Sequence, residues 1–303
     1  MKNYIKSLYH RGHYNIGFMD LSSAGLIERE ELPKINWLKH NYKDRFFADP
    51  FILDATESRI YCLVEELIYG STGKIALLEI DRDSYRLIDR KIILDLDTHL
   101  SYPAIFTLGG KTYVYPENGQ SGTLKSYLWN PEDKSLSLHK ILANDDLIDS
   151  TITEYKKEYY LIGTRISCDC LKNAYLYKSS DIDGPYTPIS PDPVISDPVT
   201  ARPGGAFFRV GDTYYRPAQD CGKEYGVALH IMKINSFEPY REEKMFTITP
   251  RSFKYRLGLH TLNFHHDNLA VIDSRGYRHP YLGPIVYPCY HLIKRIIAKK
   301  KAQ

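Results

Sequence analysis

The stretch Asp49-Pro50-Phe51-Ile52-Leu53 begins with a polar residue and continues into a β-rich run, and four further segments of the chain repeat this pattern. The related segments are Tyr102-Pro103-Ala104-Ile105-Phe106, Asp149-Ser150-Thr151-Ile152-Thr153, Arg202-Pro203-Gly204-Gly205-Ala206 and His260-Thr261-Leu262-Asn263-Phe264. Their leading residues lie 53, 47, 53 and 58 positions apart (49 to 102, 102 to 149, 149 to 202, 202 to 260). A period of about 40 to 50 residues is typical of a β-propeller.

A turn signal and a second β-rich run follow each of these segments. Third and fourth runs follow in four units, whereas the fifth unit runs short of strands after Asp273. Residues 14–19 form a β-rich run that can complete the last blade and leave no open sheet edge. The sequence therefore predicts an all-β, five-bladed propeller over residues 1–280, with blades that start near residues 46, 99, 146, 199 and 257. A β-sandwich of hairpins is the alternative, but it does not readily give five units of one length.

Composition limits the possible partners and compartments. The chain has 303 residues, and its 40 Lys and Arg against 37 Asp and Glu give a net charge of +3, which argues against nucleic acid as a main partner. No apolar run reaches the roughly 18 to 20 residues that a spanning helix needs. Neither an export signal near the start nor a disulfide pattern among the five scattered cysteines is evident. We expect a cytoplasmic protein with no structural metal.

The first strand of each propeller blade lines the central channel, so equivalent positions form a ring around the axis. The predicted ring consists of Asp49, Tyr102, Asp149, Arg202 and His260. A second set follows 16, 15, 15, 17 and 13 residues later and consists of Glu65, Glu117, Thr164, Gln219 and Asp273. Burying several carboxylates together is costly unless they are paired, hydrated or used in function. The ring is therefore the candidate site, although Asp49 or Asp149 taken singly can also be a turn cap.

An ordered set of short motifs resembles the propeller domain at the N-terminus of glucosamine inositolphosphorylceramide transferases. The motifs are Phe46-Phe47-Ala48-Asp49-Pro50-Phe51, His99-Leu100-Ser101-Tyr102-Pro103, Tyr115-Pro116-Glu117, Ile148-Asp149-Ser150-Thr151-Ile152, Ala201-Arg202-Pro203-Gly204-Gly205, Tyr215-Arg216-Pro217-Ala218-Gln219-Asp220-Cys221, Tyr225-Gly226 and Gly258-Leu259-His260-Thr261. The resemblance runs from about residue 44 to residue 273, and similar domains occur in bacterial surface-polysaccharide gene sets. More remotely, Ala48-Asp49-Pro50 resembles the five-bladed furanosidases of the arabinanase and β-xylosidase group.

The resemblance to the furanosidases implies roles for three carboxyl groups. Asp49 matches their catalytic base, Asp149 is the candidate for the carboxylate that orients and tunes, and Glu117 is the candidate for the general acid. The remaining candidate site residues would contact the substrate: Tyr102, Arg202, His260, Glu65, Arg165, Arg216, Gln219, Asp220 and Tyr225. No metal ligand set is predicted, although an axial cation near His260, as in those furanosidases, is an alternative to a sugar contact.

Three functions fit such a ring. The leading hypothesis is a glycosyltransferase of surface-glycan biosynthesis, in which a base activates an acceptor hydroxyl and cations hold a nucleotide-sugar diphosphate. The first alternative is a glycoside hydrolase of furanosidic linkages, which needs one protonated and one ionised carboxyl group. The second alternative is a glycan-binding module without catalysis.

The C-terminal segment, residues 281–303, is predicted to be an amphipathic basic tail. In a helical arrangement, residues 291–301 place apolar side chains on one face and bases on the other, as in helices that lie on anionic membranes. A tail of this kind would put the protein at the inner face of the membrane and make a lipid-linked acceptor natural. An ordinary solvated basic tail is the alternative.

Overall fold

A computed structural model describes residues 11–266, 268–290 and 292, and it confirms the five-bladed β-propeller. Strands β1 (His13–Asp20) and β2 (Asn36–Trp37) belong to blade 5. Blade 1 contains β3 (Arg45–Ala55), β4 (Arg59–Ile68), β5 (Lys74–Asp81) and β6 (Leu87–Leu94). Blade 2 contains β7 (Ser101–Leu108), β8 (Lys111–Glu117), β9 (Leu124–Asn130) and β10 (Ser135–Ala143).

The remaining blades follow the same antiparallel order. Blade 3 contains β11 (Leu147–Tyr155), β12 (Glu158–Arg165), β13 (Asn173–Ser179) and two short strands that pair with β13, namely β14 (Thr187–Pro188) and β15 (Ile195–Ser196). Blade 4 contains β16 (Phe208–Val210), β17 (Thr213–Asp220), β18 (Ala228–Phe237) and β19 (Tyr240–Ile248). Blade 5 is completed by β20 (Leu262–His265) and β21 (Leu269–Gly276).

The N-terminal strand closes the ring, as the sequence predicts. β1 pairs antiparallel with β21 along its whole length and places Ile16 opposite Asp273. β2 then forms the outermost strand, which the sequence does not reveal because it is only two residues long. Between them lies the helix α1 (Ser23–Arg29), whose first turn is capped by the Ser22 hydroxyl accepting a hydrogen bond from the Gly25 N–H at 3.0 Å.

The core lies between neighbouring blades, because successive side chains of a strand point to opposite faces of its sheet. In β4, Cys62 and Val64 pack in the cluster that contains Phe18 of blade 5. Leu63, between them, packs in the cluster that contains Phe106 of blade 2. Alternation along one strand therefore holds three blades together and fixes their positions around the axis.

The inner strand of blade 4 differs from the prediction. The sequence indicates a run that starts at Arg202 and continues through Ala206 into Phe207 and Phe208, but the strand β16 begins only at Phe208, and Pro203 forms an isolated bridge with Ala218. Gly205 has a φ of 142°, and a Cβ there would lie 2.0 Å from the Leu262 carbonyl oxygen. The backbone of blade 4 thus approaches blade 5 too closely for a regular ladder of side-chain-bearing residues.

The C-terminal end of the described chain is helical over residues 283–290 (α2). Among the described residues, no helix is long and apolar enough to cross a membrane. Most of the segment 291–301, with its predicted basic face, lies outside the described residues. The boundary between propeller and tail near residue 280 therefore stays a prediction.

Candidate active site at the propeller axis

The inner strands of blades 1, 2 and 3 carry the same irregularity at their ring residues. The strand pairing skips between Ala48 and Phe51, between Ser101 and Ala104, and between Ile148 and Thr151. The first skipped residue of each, Asp49, Tyr102 and Asp149, has a positive φ of 50°, 43° and 47° respectively. Positive φ is costly for residues with a side chain, and β-bulges of this kind re-aim a side chain near active sites. The same bulge with a positive φ therefore orients the side chains of three ring residues.

The second set lies across from the ring residues on the next strand. In the ladders, Glu65 pairs with Ala48, Glu117 with Ser101 and Thr164 with Ile148. In blades 4 and 5, the Gln219 N–H donates to the Arg202 carbonyl and the Asp273 N–H donates to the Thr261 carbonyl. This register explains the near-constant spacing of the two sets in the sequence.

A first cluster joins blade 1 to blade 5 through Asp273, which is fully buried. Its carboxylate accepts hydrogen bonds from the backbone N–H groups of Asp49 (2.9 Å), His260 (3.1 Å) and Thr261 (3.1 Å). The His260 imidazole also contacts Asp273, with Nδ1 2.8 Å from Oδ1. The Thr261 hydroxyl donates to Asp49 Oδ1 at 2.7 Å. Asp273 therefore fixes the positions of both Asp49 and His260.

Burial and charge shift the protonation of this cluster in a defined way. Burial disfavours the charged imidazolium, but the carboxylates of Asp273 and Asp49 outweigh it and raise the pKa of His260 to about 9. Burial, together with Asp149 and Asp273, raises the pKa of Asp49 to about 6 in spite of the opposing effects of His260 and the Thr261 hydroxyl. At neutral pH the imidazole is therefore mainly cationic, and Asp49 is mainly ionised, with a pKa about one unit below the pH.

A second cluster joins blade 3 to blade 4. Arg202 Nε donates to Asp149 Oδ2 at 2.6 Å, and Gln219 Nε2 donates to the same oxygen at 2.7 Å. All three side chains are buried. The Arg202 guanidinium also lies 5.0 Å from the centre of the Tyr225 ring, which adds a cation–π contact. The Asp149 carboxylate thus forms an ion pair with Arg202 and accepts hydrogen bonds from two donors.

Glu117 lies beside the second cluster and is one of two carboxyl groups at the axis, with Glu65, whose surroundings favour the protonated form. Burial and the nearby Asp149 carboxylate raise its pKa well above the usual value, and they outweigh the opposing effects of Arg202 and of the Ser101 hydroxyl. That hydroxyl donates to Glu117 Oε2 at 2.8 Å. A carboxyl group kept protonated near neutral pH can act as a general acid.

Glu65 is held by His99, a residue that the sequence analysis did not assign to the site. The Gly73 N–H donates to His99 Nδ1 at 3.0 Å, so the neutral ring carries its proton on Nε2, which lies 3.3 Å from Glu65 Oε1. A Cβ on Gly73 would lie 2.7 Å from that oxygen. Burial, followed by Asp49 and Glu117, raises the pKa of Glu65 well above its usual value.

Three tyrosines form the aromatic wall of the axis. The Tyr14 ring stacks on His260 at 4.6 Å between centroids, and Tyr225 meets the same imidazole edge-on at 5.4 Å. Tyr102 is fully buried and packs edge-on against Phe51 at 5.0 Å. The sequence analysis did not assign Tyr14 to the site, because it gave residues 14–19 only the role of a closing strand. Strand alternation alone does not tell which side chains of that strand face the axis.

Three predicted contact residues are not brought to these clusters. Arg216 is fully buried and makes two 2.7 Å hydrogen bonds to Glu242. Arg165 pairs with Asp145 at 3.0 Å, and Asp220 lies 3.3 Å from His230. Each of these side chains is engaged within blade 3 or blade 4, because it lies one or three positions from Thr164 or Gln219 on its strand and therefore points to the opposite face of the sheet.

The grouping of Asp49, His260 and Asp273 bears on the predicted axial cation. Their ligand-type atoms all lie within 4.8 Å of one another. The raised pKa of His260 favours a proton on the imidazole, so a metal ion there would have to displace that proton. The chemistry of this donor set suits a buried imidazolium, and an axial cation stays a prediction.

The fold of this chain is similar to that of solved glycoside hydrolases. A family 117 glycoside hydrolase from the marine bacterium Zobellia galactanivorans is 10% identical, with a TM-score of 0.55 over 88% of this chain and 91% of that chain. A family 43 β-xylosidase/α-arabinofuranosidase from a compost metagenome is 14% identical, with a TM-score of 0.53 over 76% of this chain and 85% of that chain. At these identities the likeness shows the fold alone.

The chain belongs to the family described as glucosamine inositolphosphorylceramide transferase 1, N-terminal, which matches residues 33–277. This confirms the predicted resemblance. The transferase of that name from Arabidopsis thaliana is 30% identical over 244 residues, which make up 76% of this chain and 31% of the relative. The one from Oryza sativa subsp. indica is 26% identical over 251 residues, 78% of this chain and 33% of the relative. The matched segment thus spans about a third of these relatives.

Proposed function

We propose that the protein is a glycosyltransferase of glycan biosynthesis whose axial site activates an acceptor hydroxyl through Asp49. The single observation that carries the proposal is the buried Asp49 carboxylate, held by Thr261 and with a pKa raised to about 6. A general base works best with a pKa near the operating pH. The name of the relatives supports sugar transfer as the reaction class.

The charges around the axis suggest which part of the substrates binds there. Arg202 is paired with Asp149 and His260 with Asp273, so neither is a free cation. Glu65 and Glu117 add two further carboxyl groups. A diphosphate is therefore a poor fit at the axis, whereas sugar hydroxyls can donate to the carboxyl oxygens and stack on the tyrosine rings. We propose that the axis binds the transferred sugar and a glycan or lipid-linked acceptor.

Hydrolysis of a furanoside is the second candidate, and it is favoured by one observation. Burial and the Asp149 carboxylate favour the protonated form of Glu117, whereas Asp49, with a pKa of about 6, is mainly ionised at neutral pH. Glycoside hydrolysis requires this division into acid and base. In that reaction Asp49 would activate water and Glu117 would protonate the leaving oxygen. The paired Asp149 would tune Glu117 through its negative charge.

Nucleotide release and aryl-glycoside cleavage separate these functions. The purified chain is incubated with UDP-N-acetylglucosamine, UDP-glucuronic acid or GDP-mannose, each with and without vesicles that contain inositolphosphorylceramide. We expect acceptor-dependent nucleotide release that falls by about 10²-fold or more in Asp49→Asn. The matched control is Asp54→Asn, an exposed carboxylate on the same strand, which should retain full activity.

Other results of these assays would support the hydrolase or the binding module instead. Cleavage of 4-nitrophenyl α-L-arabinofuranoside without any nucleotide donor, lost in Asp49→Asn and Glu117→Gln, would replace transfer by hydrolysis. Binding of glycans without either reaction, unaffected by these substitutions, would identify a binding module. Association with the inner membrane face through the basic tail is a separate proposal, tested by co-sedimentation with vesicles rich in anionic lipid.

A further inference from the structure

A second concave surface lies away from the axis, where blade 5 meets blade 1. This blade 5–1 groove has a volume of about 1090 Å³ and is formed by β1, the segment after β2, the start of β6 and the loop before β20. Its lining contains none of the residues of the two axial clusters. The volume is that of a site for a ligand of several rings.

Aromatic rings form one part of the groove. Trp37 and Tyr255 pack against each other with centroids 4.5 Å apart. Trp37 lies over Gly17, where a Cβ would come within 3.0 Å of the indole, so the glycine lets the ring lie against β1. Both rings are partly buried and line the groove, and aromatic rings are suited to stacking against the apolar face of a sugar ring.

Three basic residues form the other part. The Lys39 backbone N–H donates to the Tyr85 carbonyl at 2.8 Å, which joins the segment after β2 to blade 1 and sets Lys39 beside Arg86 in a parallel bridge. The Lys39 Nζ donates to the Ser84 carbonyl at 2.7 Å. Among the described residues, Lys39, Arg86 and Lys254 make no ion pair. Of the two other charged lining residues, Arg90 bonds to Glu66 at 3.0 Å, and Asp89 is the one anion of the described lining.

A buried acceptor completes the set. Asn15 is 2% exposed, and its Nδ2 donates to the Leu38 carbonyl and to the Tyr255 hydroxyl, both at 3.0 Å. These two bonds fix the orientation of the amide. Its Oδ1, although buried, has no hydrogen-bond partner among the described residues, and Asn15 lines the groove. Unsatisfied buried acceptors are rare and call for a donor, such as a sugar hydroxyl.

We propose that the blade 5–1 groove binds an acidic saccharide, with sugar rings against Trp37 and Tyr255, a hydroxyl donated to Asn15 Oδ1, and carboxylate groups beside Arg86, Lys39 and Lys254. A simple anion would have no use for the aromatic faces, and a neutral glycan would leave the three cations unpaired. The site is separate from the axis and does not rest on the proposed function.

Tetragalacturonic acid and its fully methyl-esterified form test this pairing of rings and charges. Binding is measured by titration calorimetry and by the emission of Trp37 in a Trp129→Phe variant, since the chain has 2 tryptophans. We expect the acid to bind, to change the Trp37 emission, and to bind more weakly as NaCl rises from about 0.05 M to about 0.5 M. We expect the ester to bind at least about tenfold more weakly, because the three cations then face no charge.

Variants locate the binding. Arg86→Gln with Lys254→Gln should weaken it about tenfold. The control pair Lys111→Gln with Arg241→Gln removes the same charge from exposed positions outside the groove and should change affinity by less than about twofold. Asp49→Asn should have no effect.

Four results would overturn the proposal. They are equal binding of acid and ester, a calorimetric signal without a change in Trp37 emission, equal weakening by the control pair, and loss of binding in Asp49→Asn, which would place the ligand at the axis. Full competition by equimolar inorganic phosphate would reduce the groove to a simple anion site and also contradict it.

Discussion

The first three blades and the last two build the axis by different means. Blades 1 to 3 turn Asp49, Tyr102 and Asp149 towards the site through a bulge residue with positive φ. Blades 4 and 5 contribute the cationic residues Arg202 and His260 from backbone without positive φ. Among the five ring residues, positive φ is thus confined to blades 1 to 3, and blades 4 and 5 provide the cations that pair with Asp149 and Asp273.

This difference divides the carboxyl groups into two kinds. Asp149 and Asp273 are each in contact with a cation from blades 4 and 5. Among the described residues, Glu65 and Glu117 make no ion pair with a cation from blades 4 and 5, and burial and neighbouring carboxylates raise their pKa values. The ion-paired groups connect blades 3, 4 and 5, whereas the proposed reaction would draw on the groups whose protonated form is favoured.

The largest loss of stability is expected when Asp273, which joins blade 1 to blade 5, is removed. Asp273→Ala leaves three buried backbone N–H groups and a buried imidazole without their acceptor. We expect the free energy of unfolding in urea to fall by about 3 to 5 kcal/mol. Asp273→Asn keeps one acceptor oxygen, so its free energy of unfolding should fall by less.

The matched control for this prediction is Asp212→Ala. The Asp212 side chain is 100% exposed, so its removal should change the free energy of unfolding by less than about 0.5 kcal/mol. If Asp273→Ala were no more destabilising than this control, the assignment of Asp273 as the structural centre of the first cluster would be wrong.

The pH dependence of stability should reveal the titration of His260 in blade 5. The pKa of His260 is about 9 in the folded protein, above the ordinary value of 6.5. Its stabilising effect is therefore complete below about pH 6.5 and is lost as the pH rises through about 9. At about 1.4 kcal/mol per pKa unit, we expect a loss of roughly 3 kcal/mol over this window. Urea unfolding at several pH values above 7 avoids the lower window in which Asp49 titrates.

His260→Gln separates this contribution from that of the raised carboxyl groups. The variant should lose the share of the slope between pH 7 and 9.5 that His260 contributes, whereas His139→Gln, which changes a partly exposed histidine, should keep the whole slope. Glu65 and Glu117, whose pKa values are also raised, account for the slope that remains in His260→Gln. An unchanged slope in His260→Gln would mean that another group carries the dependence.

The sequence predicts the fold and the ring because both follow from one repeat. A period of about 50 residues fixes the blade count, and the position of Asp49, Asp149 or His260 within its unit places it at the axis. Contacts across blades do not follow from the repeat. The His99–Glu65 contact depends on the tight approach of Gly73. The engagement of Arg216 by Glu242 depends on the register across β18, which lies between β17 and β19.

The smallest effect is expected at Thr164, the member of the second set that stands where blades 1 and 2 have glutamates. Its hydroxyl is buried and has no hydrogen-bond partner among the described residues. Thr164→Val replaces that hydroxyl by a methyl group of similar size, so the free energy of unfolding should rise or change by less than about 1 kcal/mol. Gln219→Leu, at the equivalent position of blade 4, removes the 2.7 Å bond to Asp149 and should destabilise the protein instead. A marked fall in the free energy of unfolding in Thr164→Val would show that the hydroxyl in blade 3 has a polar role. The positions of Thr164 in blade 3 and Gln219 in blade 4 would then differ less than their contacts indicate.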